Sequence, residues 1–450
     1  MTDEIVPRTL ARLRRTDPAA ARRAERALDE LLSATLAAEE RGEAGLADLT
    51  QHGLQVYLWY HLPNHPEPQL TAAALQSFFE LAEMHRYAAV AGSAQTKEVL
   101  RTYEEQGSTA GMRAAARAME ASGVMPPDLP ELEWGEVMGP VEADAYQRIA
   151  VTLELALATG ELRPGSRGWR ITQQRLARHQ LTMPRPEGSL LERVRVERLS
   201  TWADLGGPQR RALADAVLPN LLVEPTPPRD LAERVAPMQW LLELAAGRPG
   251  DDPGVPLTVT GNVARRVVLE ASERFAWWDL RDRPPRSESD IWQLTELRAI
   301  LHRAGALRRS GRRLLLGSRG RAMLGDLLAQ WTTAMSLLID ESEFEAAAQE
   351  AALMLLLRST GMVDERDLIK EVAEVLADSG WRETGDGSPP DDLDVSHAVW
   401  DLLRRCQLWA LVDEGRGPGF STRLRLSEEG VRGAHLALRL LALRPRLDSA

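Results

Sequence analysis

The sequence predicts a mainly α-helical, multidomain protein: a helical N-terminal domain followed by units that each carry a short two-stranded β-ribbon. Three observations predict it. Apolar residues recur at helical spacing through most of the 450 residues. The apolar runs begin after Ser, Asp or Asn and stop at glycine or proline, as helices do. One succession, helix, tight connection, two short strands and capped helix, is written out twice and outlined a third time.

The stretch 287–324, SESDIWQLTELRAILHRAGALRRSGRRLLLGSRGRAML, carries that succession most fully. Ser287 and Asp290 place side-chain acceptors ahead of an apolar run, the chemistry of a helix start. Ile291, Leu294, Leu297, Leu301 and Ala304 follow at helical spacing, and Gly305 suits a left-handed helix cap. Strands are expected at 306–308 and 313–316, joined through Ser310-Gly311. Gly317-Ser318 ends the second strand, with Ser318 capping a helix through Leu324. Between 298 and 321 stand eight arginines and no carboxylate.

The N-terminal part, 1–125, reads as a helical bundle. A helix is expected over 17–41, with Asp17 as N-cap, Pro18 in its first turn and Gly42 beyond its end. Leu28, Leu31, Leu32 and Leu36 give its buried stripe. A second amphipathic stretch, 46–62, stops at Pro63. Helices over 71–91, 94–106 and 109–121 follow, the last ended by Gly123. Residues 123–140, rich in Pro, Gly and acid, form a connecting loop.

The part 126–228 holds the outlined copy and its bridging helices. A helix over 141–159 closes at Gly160, and the phrase ELRPGSRGWRIT after it aligns with the ribbon stretch. Gly160 and Leu162 match Gly305 and Leu307; Ile171 and Thr172 match Leu316 and Gly317. Helices over 189–205 and 208–222 then bridge to the next unit.

The middle unit, 229–339, places a helix at 231–246, a loop at 248–255, a strand at 257–259 and a helix at 262–273 capped by Asn262. All of these precede the 287–324 stretch. The last unit, 340–450, repeats the order: helix 344–358, strand 362–363, helix 365–377 capped by Asp364, and helix 399–407. Strands at 410–413 and 422–426 complete it, with Ser427 capping the final helix. Its turn, 414–421, is longer and holds three glycines.

Composition narrows the class. Aromatics at 5% and charged residues at 27% fit a soluble helix-rich protein better than a β-sandwich. The longest apolar run, 351–357, is far below the roughly twenty residues that span a bilayer. The opening MTDEIVPRTLARLRR has no apolar core of the signal-peptide kind, so the expected location is cytoplasmic. A single cysteine, Cys406, excludes an internal disulfide and a cysteine-based zinc site. The net charge of −11 argues against a protein that coats nucleic acid along its whole surface. That average hides a polarity: 340–401 carries seventeen acidic residues against four basic ones, whereas 298–321 is purely basic. Lysine occurs only at 97 and 370, which the codon bias of a GC-rich genome, as in many bacteria, also produces.

Helix, short strand, two helices and ribbon together resemble the winged-helix (winged helix-turn-helix) superfamily, in tandem units. The resemblance covers about 230–330 and 340–445 and, in outline, 110–180. It implies a third helix that enters the DNA major groove and a wing that meets the backbone. On the middle unit it implies nucleic-acid contacts from Thr295, Arg298, His302 and Arg303 on the helix. On and after the wing it implies Arg308, Arg309, Arg312, Arg313 and Arg319. Glu296 and Trp292 on or beside that helix face suit phosphate poorly. In the last unit Asp401 on the helix and Asp413-Glu414 opening the wing suit a protein partner better than DNA. Winged helices also serve as protein-docking modules.

Two readings follow. One is a DNA-binding regulatory or chromosome-associated protein that uses the basic middle unit. The other is a non-enzymatic scaffold or adaptor whose winged helices, the acidic last unit above all, dock onto a protein. A third employment of the arginines is internal, with 340–401 covering the basic wing. No glycine-rich phosphate loop, nucleophile elbow or Cys–His pairing is present, so no enzyme, cofactor or catalytic residue is expected. His61 and His65, four apart, would share a helix face, but Pro63 breaks that helix and no metal site is expected. Cys406 lies among leucines, as a small core residue does.

Overall fold

The computed structural model describes residues 4–33, 45–247, 253–278, 283–383, 385, 387–417 and 422–446. Among these the fold is mainly α, and its named strands form two small three-stranded antiparallel sheets. The chain divides into two compact units, 1–197 with 445–450, and 198–444.

The first unit opens with a helix that the sequence reading passed over, α1 (Ile5–Thr16), which buries Leu10 and Leu13. Asp17 ends it and starts α2 (Pro18–Ser33), its Oδ1 accepting the Ala19 and Ala20 amides at 3.0 and 2.9 Å. The expected continuation to residue 41, with Leu36, and Gly42 lie outside the described residues. The stretch 46–62 is not one helix. It runs as a 3-10 turn (Leu46–Asp48), α3 (Gln51–Val56), a π turn (Tyr57–His61) and a second 3-10 turn (Leu62–Asn64). Wide turns there bring Trp59 inward, where its Nε1 donates to Thr96 Oγ1 at 3.0 Å.

The helix expected over 71–91 is two, α4 (Pro68–Leu81) and α5 (His85–Ala91), because Glu83 turns the chain at φ +62°. α6 (Ala94–Gln106) and α7 (Ser108–Ser122) match their expected spans closely. α8 (Pro140–Thr159) is fastened by Glu154, which accepts from the Gln51 amide at 2.7 Å and from Tyr87 Oη at 3.0 Å. The ribbon expected across 162–172 does not form. Gly165 and Gly168 sit at φ +83° and +78° in successive turns, and no apolar alternation supplies a sheet face. Ile171 and Thr172 belong instead to the first turn of α9 (Trp169–Thr182), and Ile171 is exposed. α10 (Leu190–Ala203) carries the chain from one unit into the other.

The second unit begins with α11 (Pro208–Leu222), then α12 (Leu231–Arg234) and α13 (Ala236–Ala246). Next come β1 (Val255–Pro256), α14 (Arg265–Arg274), α15 (Trp292–Arg303), β2 (Leu307–Ser310), β3 (Arg313–Leu316) and α16 (Ser318–Met323). After α17 (Leu327–Ser336) the order returns. It runs α18 (Glu343–Arg358), β4 (Val363–Asp364), α19 (Glu365–Asp378), α20 (Asp392–Leu408), β5 (Val412–Arg416), β6 (Thr422–Leu426) and α21 (Glu428–Ala442). The sheets are ordered β1-β3-β2 and β4-β6-β5, so each early strand pairs with the far strand of its ribbon. Buried residues from Leu199 to Ala442 form one continuous core beneath both.

Local chemistry explains the ribbons. β2 and β3 pair from Leu307↔Leu316 to Ser310↔Arg313, leaving Gly311-Arg312 as a two-residue loop with Gly311 at φ +57°. Gly305 closes α15 at φ +65°. Each following helix has glycine as its third residue, Gly320 and Gly430, where a Cβ would strike the carbonyl oxygen of Ala306 and of Leu411. Asp364 and Ser427 cap as expected, accepting from the Arg366 and Gly430 amides at 3.1 and 3.0 Å.

Three expected caps differ. Ser287 and Asp290 close a capping box on a 3-10 turn (Glu288–Asp290), and α15 starts later, at Trp292. α14 starts at Arg265 after Ala264 rather than at Asn262, whose amide goes to Thr258 Oγ1. Gly317 rather than Ser318 precedes α16, since only glycine fits against the Gly305 carbonyl there. Residues 418–421 of the last turn and 248–252 of the expected loop lie outside the described residues.

Candidate nucleic-acid interface

The β2–β3 ribbon is anchored from below by Leu307, Leu314 and Leu316, all buried. Four of its other positions are arginines, beside Ser310, Gly311 and Leu315. Arg308, Arg309 and Arg312 are exposed, as is Arg319 at the start of α16. Arg309 donates its Nε to the Gly311 carbonyl at 3.2 Å and reaches over the Gly261 turn. Arg313 is half-buried and donates to the carbonyls of Pro253 and Gly254 at 2.9 and 3.3 Å, tying the ribbon to the chain before β1. Arg308, Arg312 and Arg319 have no carboxylate partner among the described residues. Arg265 and Arg266, exposed in the first turn of α14, extend the basic surface just beyond the Gly261 turn. Their adjacency in sequence to an expected helix start was the available signal.

Helix α15 presents less than the sequence suggests. Leu294, Leu297, Ile300 and Leu301 face the core. Arg298 is committed to Glu288 at 2.7 Å, a carboxylate only 3% exposed that also accepts the Val263 amide at 2.7 Å. Thr295 donates its hydroxyl to the Glu288 carbonyl at 3.3 Å. Glu296 and Arg303, seven residues apart and so on one face, turn toward the last unit. Glu296 accepts from Arg405 Nε at 3.0 Å, and Arg303 pairs with Asp340 at 3.3 Å. The exposed residues of α15 are therefore Thr295, Ala299, His302 and Arg303, of which Arg303 is already paired with Asp340.

Arg405 is the centre of that junction. Only 5% exposed, it also reaches Asp340 Oδ2 at 2.7 Å, the Leu338 carbonyl at 3.1 Å and Gln349 Oε1 at 3.4 Å. Burial alone would raise the Asp340 carboxyl. The Arg405 hydrogen bond, the Glu341 amide and the charges of Arg405 and Arg303 outweigh it and hold the group below its usual range. The acidic stretch 340–401 thus engages Arg303 through Asp340, while Arg308, Arg312 and Arg319 stay exposed. Pairing across 37 to 109 residues left no local mark in the sequence.

The last unit has a mixed surface, with Arg416, Arg423 and Arg425 on the ribbon beside Asp413 and Glu414. Trp400, Asp401 and Arg404 lie exposed along α20, and on the ribbon Asp413 pairs with Arg425 at 3.0 Å. Cys406 is fully buried beneath them, and burial pushes its thiol up to about 12. In the first unit, His61 is exposed at the end of the π turn, and His65 Nδ1 stands 3.7 Å from Glu30. Among the described residues, no group of three or more His, Cys, Asp or Glu could hold a metal ion. Nor is any described helix long and apolar enough to cross a membrane.

Comparison of the chain with protein-family models, curated proteins and solved structures finds no match.

Proposed function

We propose that the two repeated halves of the second unit are winged-helix units, and that the middle one binds nucleic-acid phosphate through its ribbon. The shared element order and the strand orders β1-β3-β2 and β4-β6-β5 support the first part. One observation carries the second: exposed arginines on a well-anchored hairpin and at the start of α16, of which Arg308, Arg312 and Arg319 have no carboxylate partner among the described residues. Arginine's planar fork matches a phosphate with two hydrogen bonds, and the hairpin fixes the backbone that carries the side chains.

The same geometry argues for backbone contact over base reading. Glu296 and Arg303 are occupied by the last unit, and Arg298 by Glu288. That leaves Thr295, Ala299 and His302, a stripe with little to hydrogen-bond a base edge. The protein is then a binding protein with a structural or regulatory role on DNA, rather than an enzyme or a strongly sequence-selective regulator.

Filter binding of a DNA duplex at several salt concentrations tests this. Affinity should fall linearly on log–log axes. Arg308→Ala, Arg312→Ala and Arg319→Ala should each flatten the slope by about 0.9, one phosphate apiece. His302→Ala should leave the ranking of different sequences unchanged. A salt slope indifferent to the double Arg308→Ala/Arg312→Ala change would remove the assignment.

A further inference from the structure

The last unit has a concavity beside the very helix face that the middle unit leaves bare. A groove of ≈ 670 Å³ lies between α20, the start of α19 and the β5–β6 ribbon, lined in part by the buried Leu403 and Leu424. The Trp400 indole stands in it 42% exposed. Its Nε1 donates to the Glu365 carboxylate, and its ring packs on His397 at 5.9 Å. Glu414 is held by the Gln407 amide, and Asp401 lies 4.0 Å from Arg404. A fixed aromatic face left to solvent among three carboxylates, with Arg404 the one arginine among the described lining residues, has the chemistry to take a guanidinium. The planar cation stacks on the ring while its fork meets a carboxylate.

The same chain carries the complementary object. The β2–β3 hairpin presents Arg308, Arg309 and Arg312 on a narrow tip, and no carboxylate among the described residues covers Arg308 or Arg312. We propose that the groove of one chain receives the arginine ribbon of a second copy of this chain. Made reciprocally, the two contacts close a two-fold dimer. The net charge of −11 opposes approach at long range. Physiological salt screens it over about 8 Å, so locally paired opposite charges govern the final encounter. The ribbon is also the surface proposed to meet phosphate, so nucleic acid and the second copy compete for it. Self-association itself does not depend on the phosphate reading.

Sedimentation velocity of the full chain, free of nucleic acid, tests the pairing. A dimer should form with rising concentration and weaken with rising salt. Trp400→Ala, the double variant Asp401→Arg/Glu414→Arg and the double variant Arg309→Glu/Arg312→Glu should each weaken it about tenfold or more. All the altered side chains are exposed, and thermal melts check that each variant folds. Mixing the two charge-reversed variants should restore association, since acidic ribbons then meet basic grooves and native ribbons meet native grooves. A chain that stays monomeric at physiological salt, where its like charge is screened, overturns the proposal. So does a dimer indifferent to all three changes, or a mixture that fails to recover. A short DNA duplex added to the wild-type dimer should dissociate it. A dimer that binds no DNA sinks the phosphate reading alone, and one that binds DNA intact sinks the competition.

Discussion

The middle and last units share a backbone plan and differ in nearly everything they show to solvent. The amide of Ala306 bonds the Leu301 carbonyl at 2.9 Å, and that of Leu411 bonds Cys406 at 2.7 Å. Gly317 and Ser427 then return to Ala306 and Leu411 at 2.8 and 2.9 Å. With that frame superposed, the exposed stripe Thr295, Ala299, His302 corresponds to Trp400, Arg404, Gln407. The ribbon Arg308-Arg309 corresponds to Asp413-Glu414. Frame positions carry glycine, leucine and carbonyl geometry, which folding requires; the exposed stripe and the outward ribbon positions Arg308-Arg309 and Asp413-Glu414 carry none of these and are free to vary. Two copies of one plan can therefore carry different charges at matching exposed positions.

The largest expected effect tests whether the copies are one body. Arg405→Ala leaves Glu296 and Asp340 facing a buried junction with their main partner gone. We expect a loss of about 3–5 kcal/mol, as when one member of a buried ion pair is removed. Arg312→Ala, at an exposed tip, should cost under about 0.5 kcal/mol. Urea unfolding of both variants measures the contrast. Equal losses would mean that the junction does not hold the copies together.

Acid should separate the two units of the chain. In the first unit burial pushes the His52 imidazole down to about 4, and its Nδ1 has no hydrogen-bond partner. Above pH 6.5 the ring is neutral folded or unfolded, so it costs nothing. Between 6.5 and about 4 only the unfolded chain takes up the proton, and stability falls as pH falls, by about 3 kcal/mol in all. Asp340 in the second unit is held low instead, so its contribution persists above the usual carboxylate range and fades only in stronger acid. Stability measured from pH 8 to 4 should lose most of its slope in His52→Phe, the remainder coming from His435, whose imidazole is also pushed down by burial. A slope unchanged by that substitution would place the acid-sensitive group elsewhere.

What could be read from the sequence follows the range of the forces involved. Local signals read well: the two ribbons, the Gly305 cap, Asp364 and Ser427 as caps, and helices such as 94–106. Each rests on residues within a few positions of one another. The phrase ELRPGSRGWRIT misled because its glycines signal turns in any context, and only apolar alternation, which it lacks, would make a strand. The break at Glu83 was invisible because glutamate gives no warning of a positive φ. At the candidate interface the exposed ribbon arginines were legible as a one-sign cluster. The use of Arg298, Arg303 and Glu296 was not, since Glu288, Asp340 and Arg405 reach them through folding alone.

A further small effect is expected at a frame position where the copies differ in backbone freedom. The residue between the third helix and the ribbon is Gly305 at φ +65° in the middle unit and Ala410 at φ +52° in the last. A Cβ in the left-handed region costs about 1–2 kcal/mol, whereas glycine pays about 0.5–1 kcal/mol in lost freedom of the unfolded chain. Ala410→Gly should therefore stabilise the protein slightly, by about 0.5–1 kcal/mol. Gly305→Ala should destabilise it by a similar amount, because the nearest atom to the new Cβ would be Arg319 Cδ at 3.8 Å, an ordinary contact. Opposite shifts in melting temperature, about 1–3 °C each, are the expected reading. Shifts of the same sign would mean that contacts around the cap, rather than its backbone angle, set the preference, and the two frames would no longer be equivalent there.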